Sequence, residues 1–118
     1  MVLSRQGVVG KISSVDGGTA VVDRAGSEGF QVVVASAHVP RAVVRTGRDG
    51  LAVEAMVGGV RPPQEEMLYA YDDGPDGISV FPFARLEPEA ADQGAARPVR
   101  QVAEWTNDTR LFVVAASA

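Results

Sequence analysis

Glycines and prolines interrupt this chain so often that no long helix fits between them. The 118 residues include 13 glycines and seven prolines. The apolar runs between them are short and show no extended 3.6-residue period. Several runs are rich in β-branched residues, which favour strands. The sequence therefore predicts short β-strands joined by turns.

The first third of the chain has three apolar runs separated by glycine turns. Residues 8–15 end at Asp16-Gly17-Gly18, where glycine permits a positive φ, and residues 19–24 follow. A second turn over residues 25–29 leads into residues 30–35. We predict that these three runs form an antiparallel meander.

The next segment is less regular. Residues 36–48 fit either a short helical turn or an edge strand, because Pro40 is incompatible with a central strand. Residues 51–57 alternate between two faces and are predicted to be a strand. Residues 61–66 are predicted to be a loop, because Pro62 and Pro63 cannot donate ladder hydrogen bonds.

Two hairpins are predicted in the second half. Residues 67–71 and 78–83 flank a six-residue loop, and Pro82 indicates that the returning strand lies at an edge or ends early. Residues 87–98 form a polar surface excursion, and residues 99–105 pair with residues 110–116 across a turn at 106–109.

Together these patterns predict an all-β fold over residues 1–118. About seven to nine short antiparallel strands at roughly 8–12-residue spacing are typical of a small barrel, OB-like in size, or of a sandwich. We expect at most one or two helical turns. The length fits a single domain, since domains typically have about 100–150 residues.

Charge and composition exclude several classes of function. The net charge is −4: residues 1–60 carry six basic and five acidic groups (+1), and residues 61–118 carry five basic and ten acidic groups (−5). An acidic chain is repelled by polyphosphate at long range, which disfavours nucleic-acid binding. The chain has no cysteine, so disulfides and thiolate chemistry are excluded. No apolar run reaches the ~20 residues of a membrane span and no signal segment is present, so we expect a cytoplasmic protein and no membrane partner.

Residues for catalysis are few. His38 is the single histidine, and no G-x-S-x-G motif accompanies it. Glu65 and Glu66 would point to opposite faces of an extended segment. We therefore expect no catalytic residues and no cofactor, with a small enzyme that uses His38 and carboxylates as an alternative.

An acidic cluster, Asp72, Asp73 and Asp76, is a weak candidate for calcium binding. Aspartate and glycine are also the residues that hairpin loops prefer, so no metal site is predicted.

A second alternative is binding of single-stranded nucleic acid. Tyr69 and Tyr71 share one strand face, and aromatic faces beside positive charge are typical of such binding. The residues that would carry this function are Arg41, Arg45, Arg48, Arg61, Tyr69 and Tyr71.

Three short segments resemble a known family. Gly7-Val8-Val9, Gly29-Phe30-Gln31-Val32, and Val60-Arg61 followed by Leu68-Tyr69-Ala70-Tyr71 are similar to the N-terminal OB-fold domain of the Holliday-junction-binding subunit of the branch-migration complex. The resemblance covers about residues 5–71 and implies a barrel architecture. Beyond residue 72 that family continues with helix-hairpin-helix repeats, whereas this chain has an acidic hairpin.

The preferred interpretation is a non-catalytic β module that acts through protein–protein contacts. Residues 30–35 and 110–116 are apolar on both strand faces. A domain this small cannot bury both faces unless a barrel closes or a partner covers one side. We expect a protein partner or self-association, as an oligomer subunit or as a regulatory or assembly domain.

Overall fold

A computed structural model of the protein describes residues 1–48, 50–57, 65–74, 77–87, 97–106 and 109–113; for residues 55–57, 72–74 and 77 it describes the backbone alone. This part of the chain contains ten strands and no helix. The strands, in chain order, are β1 (Val2–Leu3), β2 (Val8–Asp16), β3 (Thr19–Arg24), β4 (Gln31–Ala35), β5 (Arg41–Gly47), β6 (Gly50–Val57), β7 (Glu66–Gly74), β8 (Gly77–Leu86), β9 (Arg97–Gln101) and β10 (Phe112–Val113). The predicted all-β class is confirmed.

Six of the strands form a closed barrel in the order β4-β5-β6-β9-β8-β7, and β7 pairs with β4 to complete it. All of these pairings are antiparallel. Inward-facing valines, alanines and leucines fill the interior. The rings of Phe30 and Phe83 stack inside it, with centroids 6.1 Å apart and an interplanar angle of 28°.

The other four strands form a sheet in the order β10-β1-β2-β3. Strand β2 joins this sheet to the barrel, because its side chains alternate between two sides. Val8 packs in the barrel core, whereas Val9 packs with Val2 and Ala103 in a second, smaller core. Closure of the barrel therefore buries one face of residues 30–35, whereas Leu111, Phe112 and Val113 of the other doubly apolar run are exposed.

The hairpin of β2 and β3 is confirmed, and Gly17 and Gly18 at its turn have φ values of 55° and 84°. The third run of the predicted meander does form a strand, β4, but its predicted pairing with β3 is wrong. Strand β4 pairs with β5 and β7 instead of β3, because the turn over residues 25–29 carries the chain out of the sheet and into the barrel.

Residues 36–48 differ from both alternatives predicted for them. Strand β5 is a central barrel strand that pairs with β4 on one side and β6 on the other. Pro40 precedes the first residue of β5, so its missing N–H removes no bond from the ladder. The predicted strand over residues 51–57 is confirmed as β6.

The hairpin of β7 and β8 is confirmed, but its loop is shorter than predicted. The backbones of Asp72 and Asp73 pair with Ser79 and Ile78, and the ladder continues to Gly74 and Gly77. Pro82 lies beside a β-bulge and pairs with Tyr69 of β7. On its other side β8 pairs with β9 only from Ala84 to Leu86, so Pro82 itself lies outside that ladder.

The last predicted hairpin is wrong. Strand β9 pairs with β6 and β8, and β10 pairs with β1, so residues 99–105 and 110–116 belong to different sheets. Residues 107–108 of the predicted turn lie outside the described residues; on either side of them the Thr109 N–H donates to the Thr106 carbonyl. The predicted loop over residues 61–66 and the excursion over 87–98 lie largely outside the described residues.

Candidate functional site: an apolar face of the barrel wall

The hairpin of β7 and β8 presents an apolar outer face. In its register Tyr69 lies opposite Pro82 and Tyr71 lies opposite Val80, while the intervening pair, Ala70 and Phe81, faces the core. Because side chains alternate along a strand, Ile78 lies on the same outer face as Val80. We call Tyr69, Tyr71, Ile78, Val80 and Pro82 the hairpin face.

Much of the hairpin face is open to solvent. The exposed fractions of Ile78, Val80 and Tyr69 are 67%, 58% and 39%, and Tyr71 is half-buried. None of these five side chains is charged. Large apolar side chains that share one exposed face are typical of an interaction surface, whereas isolated exposed ones are common on any protein.

A shallow groove continues the hairpin face across the barrel wall. The groove has a volume of about 440 Å³ and is lined by Tyr71, by Val33 and Val43 of the neighbouring strands, and by Met1, Lys11, Gln31, Val32 and Glu54. Most of its lining side chains are apolar, and two, Lys11 and Glu54, are charged. The Glu54 carboxylate accepts a hydrogen bond from Arg45 Nη1 at 2.9 Å, and the Lys11 ammonium lies 5.9 Å from the Phe30 ring centroid.

The residues predicted for nucleic-acid binding are distributed around the barrel. Arg41 and Arg45 project from β5, and Arg48 follows this strand; all three are exposed. Strand β4 separates Tyr69 and Tyr71 from these arginines. Arg61 lies outside the described residues.

The acidic cluster offers no described ligand set. Asp72 and Asp73 belong to the β7 backbone ladder, and Asp76 lies outside the described residues. Among the side chains that the structure describes, no three of His, Asp and Glu are grouped to hold a metal ion.

His38 belongs to a polar cluster at the point where the barrel closes. Its Nδ1 atom lies 2.5 Å from Oε1 of Glu66, at the first position of β7. The Ser36 hydroxyl donates to Oε2 of the same carboxylate at 2.7 Å and accepts a bond from the Val39 N–H at 3.0 Å. We call Ser36, His38 and Glu66 the seam cluster.

The Glu66 carboxylate is favoured in its charged form. Partial burial raises the pKa of Glu66. The hydrogen bonds from His38 and Ser36 and the positive charges of His38 and Arg97 together lower this pKa by more than burial raises it, so the net shift is downward. The charged form is favoured because both neighbouring side chains direct donors at it.

The seam cluster does not have the arrangement of a serine hydrolase. In such a triad the histidine accepts the serine proton and the acid orients the histidine. Here both Ser36 and His38 contact Glu66, so the serine proton is directed at the carboxylate. Glu65 has a separate partner, Arg85, at 3.3 Å. The cluster thus ties the loop after β4 to β7.

Two groups of site residues were not predicted from the sequence. Ile78 and Val80 carry an alternation signal, but their exposure depends on which face the barrel interior covers. Ser36 and Glu66 are 30 positions apart, and only the β4–β7 pairing brings them together. No spacing rule predicts such a contact.

Comparison of the chain with known protein families, with curated proteins and with solved structures found no match. The barrel has six strands, one more than the five of an OB-fold. Within the described ranges, no helix has the length and hydrophobicity needed to cross a lipid bilayer.

Proposed function

We propose that this protein is a non-catalytic β module that acts through protein–protein contacts, and that it self-associates through the hairpin face. The supporting observation is the cross-strand arrangement of Tyr71 and Val80 beside the exposed side chain of Ile78. Interface cores are enriched in aromatic residues and depleted in charge. The five side chains of the hairpin face are uncharged, and Asp73, at the next position of the same alternation, pairs with Ile78 at the end of this face.

A second copy of the chain is the partner that this surface fits. Each copy carries a net charge of −4, so two copies repel each other at long range, and an uncharged contact surface adds no short-range repulsion to this. All five side chains of the hairpin face are uncharged. A two-fold arrangement would place the same apolar patch of each copy against the other, as isologous dimers do.

Light scattering over a concentration series tests the proposal. We expect a mass of at least twice the 12.3 kDa of the chain. Raising the salt concentration should leave the assembly intact, because an apolar contact is not screened by ions.

The double variant Ile78→Ser with Val80→Ser should raise the dissociation constant of the assembly at least tenfold. The matched control is Val15→Ser with Val21→Ser on the β2–β3 hairpin, whose valines are 69% and 54% exposed. The control should associate like the unchanged protein. A monomer at every concentration, or equal weakening by both double variants, would overturn the proposal.

Binding of single-stranded nucleic acid is the second candidate, supported by the outward placement of Tyr69 and Tyr71. It would use these tyrosines with Arg41, Arg45, Arg48 and Arg61. The prediction specific to this candidate is salt-sensitive binding of an oligonucleotide that Tyr69→Ala weakens, since stacking is worth ~1–3 kcal/mol per base. Absence of binding at low salt would exclude it.

A further inference from the structure

We propose that a groove beside the β1–β10 pair binds a phosphate group through Arg5 and Arg110. This groove lies apart from the hairpin face. It has a volume of about 380 Å³ and is lined by Ser4, Arg5, Gln6, Thr106, Thr109 and Arg110. We call it the arginine groove.

The β1–β10 pairing brings together the two segments that carry the arginines. Val2 pairs with Val113 and Leu3 pairs with Phe112. The chain then turns, with the Ser4 N–H donating to the Gly7 carbonyl, and Arg5 in this turn and Arg110, two residues before β10, both line the groove. Because the two arginines are far apart in the sequence, their spacing does not show that they line one groove.

The groove concentrates positive charge without a matching carboxylate. None of its six lining residues is acidic, and among the described residues neither Arg5 nor Arg110 forms an ion pair. Asp108 lies outside the described residues. Two guanidinium groups that line one groove repel each other, and a bound anion would neutralise them.

Neighbouring hydrogen bonds orient a further donor and hold the segment before Arg110. The Ser4 hydroxyl donates to Oε1 of Gln6 at 3.1 Å. The amide NH₂, which is a donor, is the remaining polar group of the Gln6 side chain. The Thr106 N–H donates to Oγ1 of Thr109 at 2.7 Å, and this hydroxyl lies 3.2 Å from the Glu104 carbonyl, to which it donates. These bonds link Thr109, the residue before Arg110, to Thr106 and Glu104.

The donor set fits a phosphate better than a carboxylate. A phosphate monoester carries about −1.5 to −2 charges and three terminal oxygens. That charge balances two guanidinium groups, and the oxygens accept bonds from both forks and from an amide. A carboxylate has one charge and two oxygens, which a single arginine already satisfies.

Backbone amide shifts in ¹⁵N-labelled protein test the site, in a phosphate-free buffer at constant ionic strength. Inorganic phosphate and N-acetyl-phosphoserine are titrated separately, with acetate as the carboxylate control. We expect saturable shifts confined to residues 4–7 and 104–111. Tighter binding of phosphoserine would identify a phosphorylated side chain as the source, and tighter binding of inorganic phosphate would identify the free ion.

Arg5→Gln and Arg110→Gln should each weaken phosphate binding at least tenfold. Both side chains are exposed, so the variants should fold, which their amide spectra would verify. Arg85→Gln removes a positive charge elsewhere on the barrel and should bind like the unchanged protein. The proposal is overturned if neither phosphate saturates, if acetate binds equally well, or if Arg85→Gln weakens binding as much as the groove variants.

Discussion

His38 Nδ1 contacts Glu66 Oε1 at 2.5 Å and thereby links the loop after β4 to the first residue of β7. Ser36 binds the other carboxylate oxygen, so two residues of one loop converge on one acid of a distant strand. The contact lies where the barrel closes. Four predictions follow from this contact and from other packing features.

Glu66→Gln should lower the free energy of unfolding near neutral pH by about 1–2 kcal/mol, because hydrogen bonds to a charged group are stronger than neutral ones. The pKa of Glu66 is lowered in the folded protein. Its contribution to stability is therefore fully present above the ordinary value of 4.5 and is lost as the pH falls through the lowered folded value.

Denaturant unfolding of both proteins from pH 7 to pH 3 measures this effect, and the difference in stability should shrink at the acid end. Glu65→Gln is the matched control, since its partner Arg85 is exposed and such pairs contribute little. A difference between Glu66→Gln and the unchanged protein that is independent of pH would contradict the assignment.

Gly7→Ala should destabilise the protein by roughly 3 kcal/mol, from overpacking and backbone strain together. A Cβ on Gly7 would collide with the carbonyl oxygen of Pro82, where the sheet approaches the barrel. Gly17→Ala tests the contribution of backbone conformation alone, because Gly17 has a positive φ but no neighbouring atom near its Cβ position. Thermal unfolding of the two variants should show the larger loss for Gly7→Ala.

Thr46→Val should stabilise the protein by about 1 kcal/mol. The Thr46 hydroxyl is buried and has no hydrogen-bond partner among the described residues. Valine has nearly the same shape and removes the cost of burying an unsatisfied polar group. Thr46→Ser keeps the hydroxyl and loses a methyl group, so its denaturation midpoint should fall while that of Thr46→Val rises.

Arg24→Gln should weaken the packing of Trp105 against the four-stranded sheet. The Arg24 guanidinium lies 4.9 Å from the Trp105 ring centroid, and its Nη2 donates to the Trp105 carbonyl at 2.7 Å. We expect a loss of about 1 kcal/mol and a red shift of the tryptophan emission. Trp105 is the single tryptophan, so the signal is unambiguous. Arg48→Gln, a change at an exposed residue that follows β5, should alter neither the free energy of unfolding nor the tryptophan emission.

Local features of the fold were predictable from the sequence. Gly17 and Gly18 indicate the first hairpin, and the runs on either side of residues 72–77 indicate the second, because both depend on neighbouring residues. Partners between distant strands were not predictable. The pairing of β4 with β7 closes the barrel, and that of β1 with β10 extends the four-stranded sheet; each joins strands far apart in the sequence and leaves no periodic signal in either strand.

The residues of the candidate surfaces were likewise predictable only where they depend on local sequence pattern. Tyr69 and Tyr71 were singled out by their alternation, but the exposure of Ile78 and Val80 depends on which face the barrel core covers. The Ser36–Glu66 contact and the groove that both Arg5 and Arg110 line arise from pairing between distant strands, so neither was visible in the spacing of these residues.

Barrel closure also sets the order in which the chain can fold. The hairpins β2–β3, β5–β6 and β7–β8 join neighbours in the sequence, and such hairpins form within about 1–10 μs. The β4–β7 pairing joins Val34 to Ala70 and β6–β9 joins Val53 to Arg97, so each must first close a long loop. We therefore expect overall folding in milliseconds to seconds, limited by these two closures.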